Sequence, residues 1–202
     1  MNRETPYAPN NLTERPTAHY MELFSAADPK EIAARTGCGL EGNTLVFNVL
    51  GRQMRMTWPG FEDEGWTAKE KILMLRYALE GRAVDASERF IPYAEFPSGD
   101  LYDRNFRARC INRMVGMFGR NIESFRSVCE AFGGRRISGS GEIWELEYIK
   151  NLRLRFIIWE GDEEFAPAGQ ILFSDNFVLT TSGEDRVIVC EDILGTMKTK
   201  GL

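Results

Sequence analysis

The stretch "GEIWELEYIKNLRLRFIIW", residues 141–159, alternates charged and apolar residues on either side of a break at Lys150 and Asn151. Side chains along a strand point to opposite faces with a period of two, so each half reads as a strand with one apolar side. Folding the chain back about Lys150 opposes Glu147 to Arg153, Glu145 to Arg155, Leu146 to Leu154 and Trp144 to Phe156. Opposite charges then meet on one face and apolar groups on the other, as cross-strand pairing in an antiparallel sheet requires. This hairpin makes the second half of the chain an antiparallel region, and the other elements arrange themselves around it.

Upstream, "NTLVFNVLGRQMRMTWPG" repeats the logic on a smaller scale: Leu45, Phe47 and Val49 share one face, and past Gly51 so do Met54, Met56 and Trp58. Pro59 and Gly60 end this second hairpin. Downstream, "QILFSD" and "FVLTT" supply one further strand or two short ones. Helices fill the rest. Asp28 before Pro29 is an N-cap with proline at the first helical position, and that helix stops before Gly37. Thr67 caps "AKEKILMLRYALEGR", which Gly81 stops. Residues 88–100 read as a structured loop over the core. Asp100 then caps "LYDRNFRARCINRMVGMFG", with Tyr102, Phe106, Cys110, Met114 and Met117 along one face. Another helix follows Asn121 and ends at Gly133 and Gly134, and Ser182 caps a last one, "EDRVIVCEDILGTMKTK". The fold class is α+β, two antiparallel β regions flanking a helical middle in a single compact domain over residues 18–202. Residues 1–17, with three prolines among them, read as a mobile N-terminal arm.

Composition narrows the function classes. The chain has 202 residues, 43% hydrophobic, and carries a net charge of -5, which argues against a general electrostatic footprint for nucleic acid or an anionic membrane. No run reaches the length of a membrane span and the N-terminus lacks a secretory pattern, so the reading is of a soluble, cytoplasmic protein. Cys38, Cys110, Cys129 and Cys190 lie far apart, unlike a disulfide framework or a zinc site, and read as reduced, packed thiols. His19 is the only histidine, which leaves little for histidine metal sites or a Ser-His-Asp arrangement. The glycines of "FGGRRISGSGE" follow a helix and precede a strand, the reverse of a phosphate loop, and read as a helix end and a turn.

Charge is distributed unevenly. Residues 101–140 hold eight arginines against three acids, and residues 141–202 hold twelve acids against six basic groups. Either the two sets neutralise each other or are solvated, or the arginines line an anion pocket. The acidic loop "WEGDEEF", residues 159–165, admits three uses. It is a shaped structural loop, with Asp162 accepting backbone N–H bonds and Trp159 and Phe165 plugging the core. It is a set of hard oxygen ligands for a cation, without the spacing of a calcium loop. Or it is an acid/base group drawn from Asp162, Glu163, Glu164 and Asp175. The methionines Met54, Met56, Met74, Met114 and Met117 read as core or as the lining of a roomy apolar pocket.

Several segments together, "DPKEIAARTGC", "PSGDLYDRNFRARC", "EAFGG", "IIWEGDEEFAPAGQILFSDN" and "EDRVIVCEDIL", resemble the domain-of-unknown-function 3786 family over about residues 20–195. The most specific element is Trp159 and Gly161 to Phe165 followed by Leu172 and Phe173. "FAPAG" stands where the family pattern has phenylalanine followed directly by proline. The resemblance implies a protein of anaerobes, near low-potential redox or corrinoid chemistry, that binds a tetrapyrrole-like cofactor or a redox or corrinoid protein partner. It supplies no catalytic residues, and this chain has no four-cysteine segment such as some members carry.

Three functions follow. One is a binding module for a planar or anionic small molecule, walled by Trp159, Asp162, Glu163, Glu164, Phe165, Tyr102, Phe106 and Arg109. Another is an enzyme that uses Asp162, Glu163, Glu164 and Asp175 for acid/base chemistry or to hold a cation. The third is an interaction module whose acidic C-terminal half docks a basic partner.

Overall fold

The computed structural model describes residues 14–61 and 66–200. Two antiparallel sheets share one continuous core with the helices. Of the expected N-terminal arm, residues 1–13 lie outside the described residues, and helix α1 (Glu14–Ala26) begins directly after them.

The small sheet joins β1 (Gly39–Glu41), β2 (Thr44–Val49) and β3 (Arg52–Thr57) in that order. Leu45, Phe47, Val49, Met54 and Met56 are buried, as the period-two pattern predicts. Helix α2 (Pro29–Thr36) leads into it. The Asp28 side chain accepts from the Lys30 N–H, and Gly37 ends the helix in the left-handed conformation, φ 68°, that glycine adopts without a Cβ penalty. Helix α3 (Ala68–Glu80) starts with a reciprocal capping box. The Thr67 hydroxyl accepts from Glu70 N–H at 3.2 Å and the Glu70 carboxylate accepts from Thr67 N–H at 2.7 Å.

The large sheet runs β4-β8-β7-β6-β5, with β4 (Phe90–Pro92), β5 (Arg135–Ile137), β6 (Glu142–Ile149), β7 (Leu152–Trp159) and β8 (Ala168–Ser174). The β6–β7 register is the predicted one from Glu147 outward: Glu147 faces Arg153, Glu145 faces Arg155 and Trp144 faces Phe156. Nearer the turn it slips. Ile149 pairs with Leu152, which leaves Tyr148 as a bulge residue. The Tyr148 carbonyl instead accepts from Leu50 N–H at 2.7 Å, which ties the turn of the small sheet to the large one.

Helices α4 (Gly99–Phe106) and α5 (Asn112–Phe118) are joined by one wide π-turn over Arg107–Ile111. Helix α6 (Ile122–Ala131) and the C-terminal α7 (Gly183–Lys200) complete the layer.

Four local expectations are corrected. Residues 88–100 are not wholly irregular: Phe90–Pro92 add an edge strand to β8. "FVLTT" is not a strand, because Asp175–Leu179 wind into a 3₁₀ turn. Asp100 does not cap α4, whose N-cap is Ser98 at φ 60° without a side-chain bond. Tyr102 leaves the apolar stripe and is 55% exposed, although Phe106 one turn further along α4 is buried. Met54, Met56, Met74 and Met114 are ordinary core.

Candidate functional site

The residues singled out in the sequence fall in three separate places. At the first, Asp162 makes a tight turn. Its Oδ1 accepts from Glu164 N–H at 2.9 Å and Phe165 N–H at 2.7 Å, and those two bonds hold its carboxyl below the usual aspartate range. Gly161 N–H donates to the Gly119 carbonyl at 3.0 Å, which fastens the loop to the end of α5. Glu163 and Glu164 are exposed, and Phe165 is 69% exposed, so it does not plug the core. Trp159 is half-buried and donates to Ser140 Oγ at 3.2 Å. Beside it lies only a shallow depression of about 310 Å³, shared with Ile122, Arg126 and Glu142.

Asp175 sits past the opposite end of β8, where Ser87 donates to it from both N–H and hydroxyl and lowers its pKa. A carboxylate stabilised in this way is a poor proton donor near neutrality. The third place is the α4–α5 side. Phe106 is buried and stacks on Tyr93 with centroids 4.4 Å apart, while Arg109 reaches across to α7. Its guanidinium donates to Glu191 at 2.9 and 3.0 Å and to Glu184 at 3.0 Å.

Arginines of the middle segment and acids of the last segment meet mostly in such pairs. Glu145 accepts from Arg135, Arg153 and Arg155 at 2.8, 3.2 and 2.9 Å. Glu142 accepts from Arg126, Arg136 and the Trp144 indole, each at 2.9 Å. Burial opposes ionisation of both carboxyls, but these donors hold their pKa values below the usual glutamate range. Among the described residues no group of three His, Cys, Asp or Glu side chains is placed to hold a metal ion.

A larger concavity, about 690 Å³, opens where the N-terminus of α3 meets β3, α5 and α7. Such volumes are typical of small-molecule sites. Helical spacing aligns Ile188, Asp192, Gly195 and Thr199 along one face of α7 as its wall. Arg52 comes from β3, Lys69 and Glu70 from the first turn of α3, and Arg113 from α5. Most of these charges are already matched. Arg52 bonds Glu70, and Glu191 takes Lys69 at 2.9 Å as well as Arg109. The Arg109 and Lys69 bonds, working against burial, bring the Glu191 pKa down to about 2.

Two opposite charges remain. No carboxylate among the described residues lies within ion-pair distance of Arg113, and no cation among them pairs with Asp192. Asp192 Oδ2 accepts from the phenol of Tyr148 at 2.9 Å, and Tyr148 is 2% exposed. Burial pushes the Asp192 carboxyl above the usual aspartate range, the tyrosine bond and Arg52 work against that rise, and the charge of Glu70 adds to it. Gly195 lies between the two charged groups, and a Cβ there would stand 3.9 Å from Arg113 Nη2.

Sequence reading missed this cleft because its walls come from four distant segments. The signal present was Asp192 itself, an acid directly before the buried Ile193 and Leu194 on the last helix.

Two antiparallel sheets and a helical layer, with a charged cleft against the last helix, define an α+β domain, and no described helix is long and apolar enough to cross a membrane. The chain belongs to the family called domain of unknown function (DUF3786), whose sequence pattern matches residues 28–196. No curated protein and no solved structure gives a significant match.

Proposed function

We propose that this protein binds a small polar molecule in the cleft between α3, β3, α5 and α7. The observation that carries this reading is the pair of opposite charges without an ion-pair partner, Arg113 and Asp192, in a concavity of about 690 Å³ amid groups that are otherwise neutralised. Buried or half-buried charge costs free energy unless it has a partner, and a ligand with complementary groups recovers that cost.

The lining suits a charged ligand better than a tetrapyrrole or corrinoid. Ile188 is its one large apolar side chain, and the sole histidine, His19, is exposed on α1 and does not line it. A basic partner docked on the acidic C-terminal half also draws less support, since Glu142, Glu145 and Glu191 are engaged by arginines of the same chain. The wall first read from Trp159, Asp162 to Phe165 and Tyr102 is less well supported than the cleft, because its members stand apart.

A thermal-shift screen of polar metabolites tests the reading, with the wild type beside Gly195→Phe, whose ring fills the cleft. Ligands should raise the Tm of the wild type and not of the variant. Hits that stabilise both proteins equally, or no hits at all, refute a site in this cleft.

A further inference from the structure

Resting on that cleft, we infer its ligand class: a carboxylate that bears a hydrogen-bond donor on the adjacent carbon, an α-amino or α-hydroxy acid. The carboxylate sits on Arg113 and the donor on Asp192.

Four observations carry this. Arg113 is half-buried on α5 and, among the described residues, has no acidic partner, unlike Arg52, Lys69 and Arg109 around it. A guanidinium fork matches a carboxylate with two parallel bonds. Asp192 uses Oδ2 to accept from Tyr148, while Oδ1 accepts no hydrogen bond from a described residue and is left for a donor. The Tyr148 bond also fixes the carboxyl, because the tyrosine is buried in the core.

Both anchors border Gly195. Asp192 and Gly195 are three residues apart on one helix face, about 5–6 Å between Cβ positions, and Nη2 of Arg113 lies 3.9 Å from where the Gly195 Cβ would be. Anchors that both border Gly195 match a small molecule that carries a carboxylate and a nearby donor, not the termini of a long chain. Gly195 is what leaves the floor between them open, and the rest of the cleft, bounded by Thr67, Ile188 and Thr199, accommodates a side group. A phosphate would satisfy Arg113, but its further anionic oxygens would face the Asp192 carboxylate. A simple carboxylate would leave Asp192 unmatched.

Isothermal titration calorimetry of the whole protein tests this with matched sets: L-amino acids, the corresponding 2-hydroxy acids, the corresponding unsubstituted carboxylic acids, and inorganic phosphate. Expected is binding of at least one amino or hydroxy acid about tenfold or more tighter than its unsubstituted counterpart, the effect of one hydrogen bond to a charged group. Arg113→Gln should weaken it by about tenfold or more, and Asp192→Asn should narrow the gap between substituted and unsubstituted acids, with circular dichroism confirming the fold of each. Equal affinity for substituted and unsubstituted acids, preference for phosphate, indifference to both variants, or absence of binding overturns the inference. A ligand from the wider screen that Gly195→Phe abolishes but that lacks a carboxylate overturns it too, while leaving the cleft as the site.

Discussion

Replacing Glu191 with glutamine tests the electrostatic frame of the cleft. In the folded protein its pKa is about 2 against an ordinary 4.5, chiefly because Arg109 and Lys69 donate to it. A gap of roughly two and a half units corresponds to about 3 kcal/mol at most. The Glu191 side chain is only 17% exposed, but Arg109 is 35% and Lys69 59% exposed, so solvent screens the pairs and about 1–2 kcal/mol is the expected share. The sign follows from the depressed pKa. This stabilisation is present above the unfolded pKa and is lost as pH falls towards the folded one. Urea unfolding should therefore find Glu191→Gln about 1–2 kcal/mol less stable than wild type at about pH 7, with the difference shrinking below about pH 4 and nearly gone by about pH 2. A deficit of the same size at both ends of that range, or none at neutral pH, would refute the reasoning, because an uncharged packing effect does not titrate away.

Tyr148→Phe removes the donor to Asp192 while keeping the ring. Stability should fall by about 1–3 kcal/mol, and the Asp192 carboxyl, followed by carbon-detected NMR titration, should rise further above the ordinary range; an unchanged titration would show that the bond does not act on it. Gly37→Ala places a Cβ at φ 68°, and 2.8 Å from Lys150 Nζ. It should cost about 1 kcal/mol in urea unfolding, and a stabilised variant would contradict the left-handed cap.

Elements whose causes are local could be read from the chain. The β6–β7 register follows from charge and apolarity facing each other across a short turn, and α2 and α3 follow from Asp28, Thr67 and their glycine stops. The departures lie where a neighbour overrides the pattern. Tyr148 obeys the alternation, yet it bulges because its carbonyl is drawn to Leu50. Tyr102 keeps helical spacing from the buried Phe106, yet in the first turn of α4 it meets water. The Asp162 turn was readable from Asp, Gly and Pro chemistry alone, but whether Phe165 pointed inward was a tertiary question. Arg113 and Asp192 could not be joined on paper, since nothing in either segment points to the other.

Through one main-chain oxygen and one phenol, Tyr148 links Leu50 in the first third of the chain to Asp192 near its end. A pocket fastened by such remote partners closes only after most of the polypeptide has found its place, because joining distant segments costs entropy before any contact repays it. Any ligand that the proposed site takes up would thus report completed folding, and fragments ending short of α7 should not bind it.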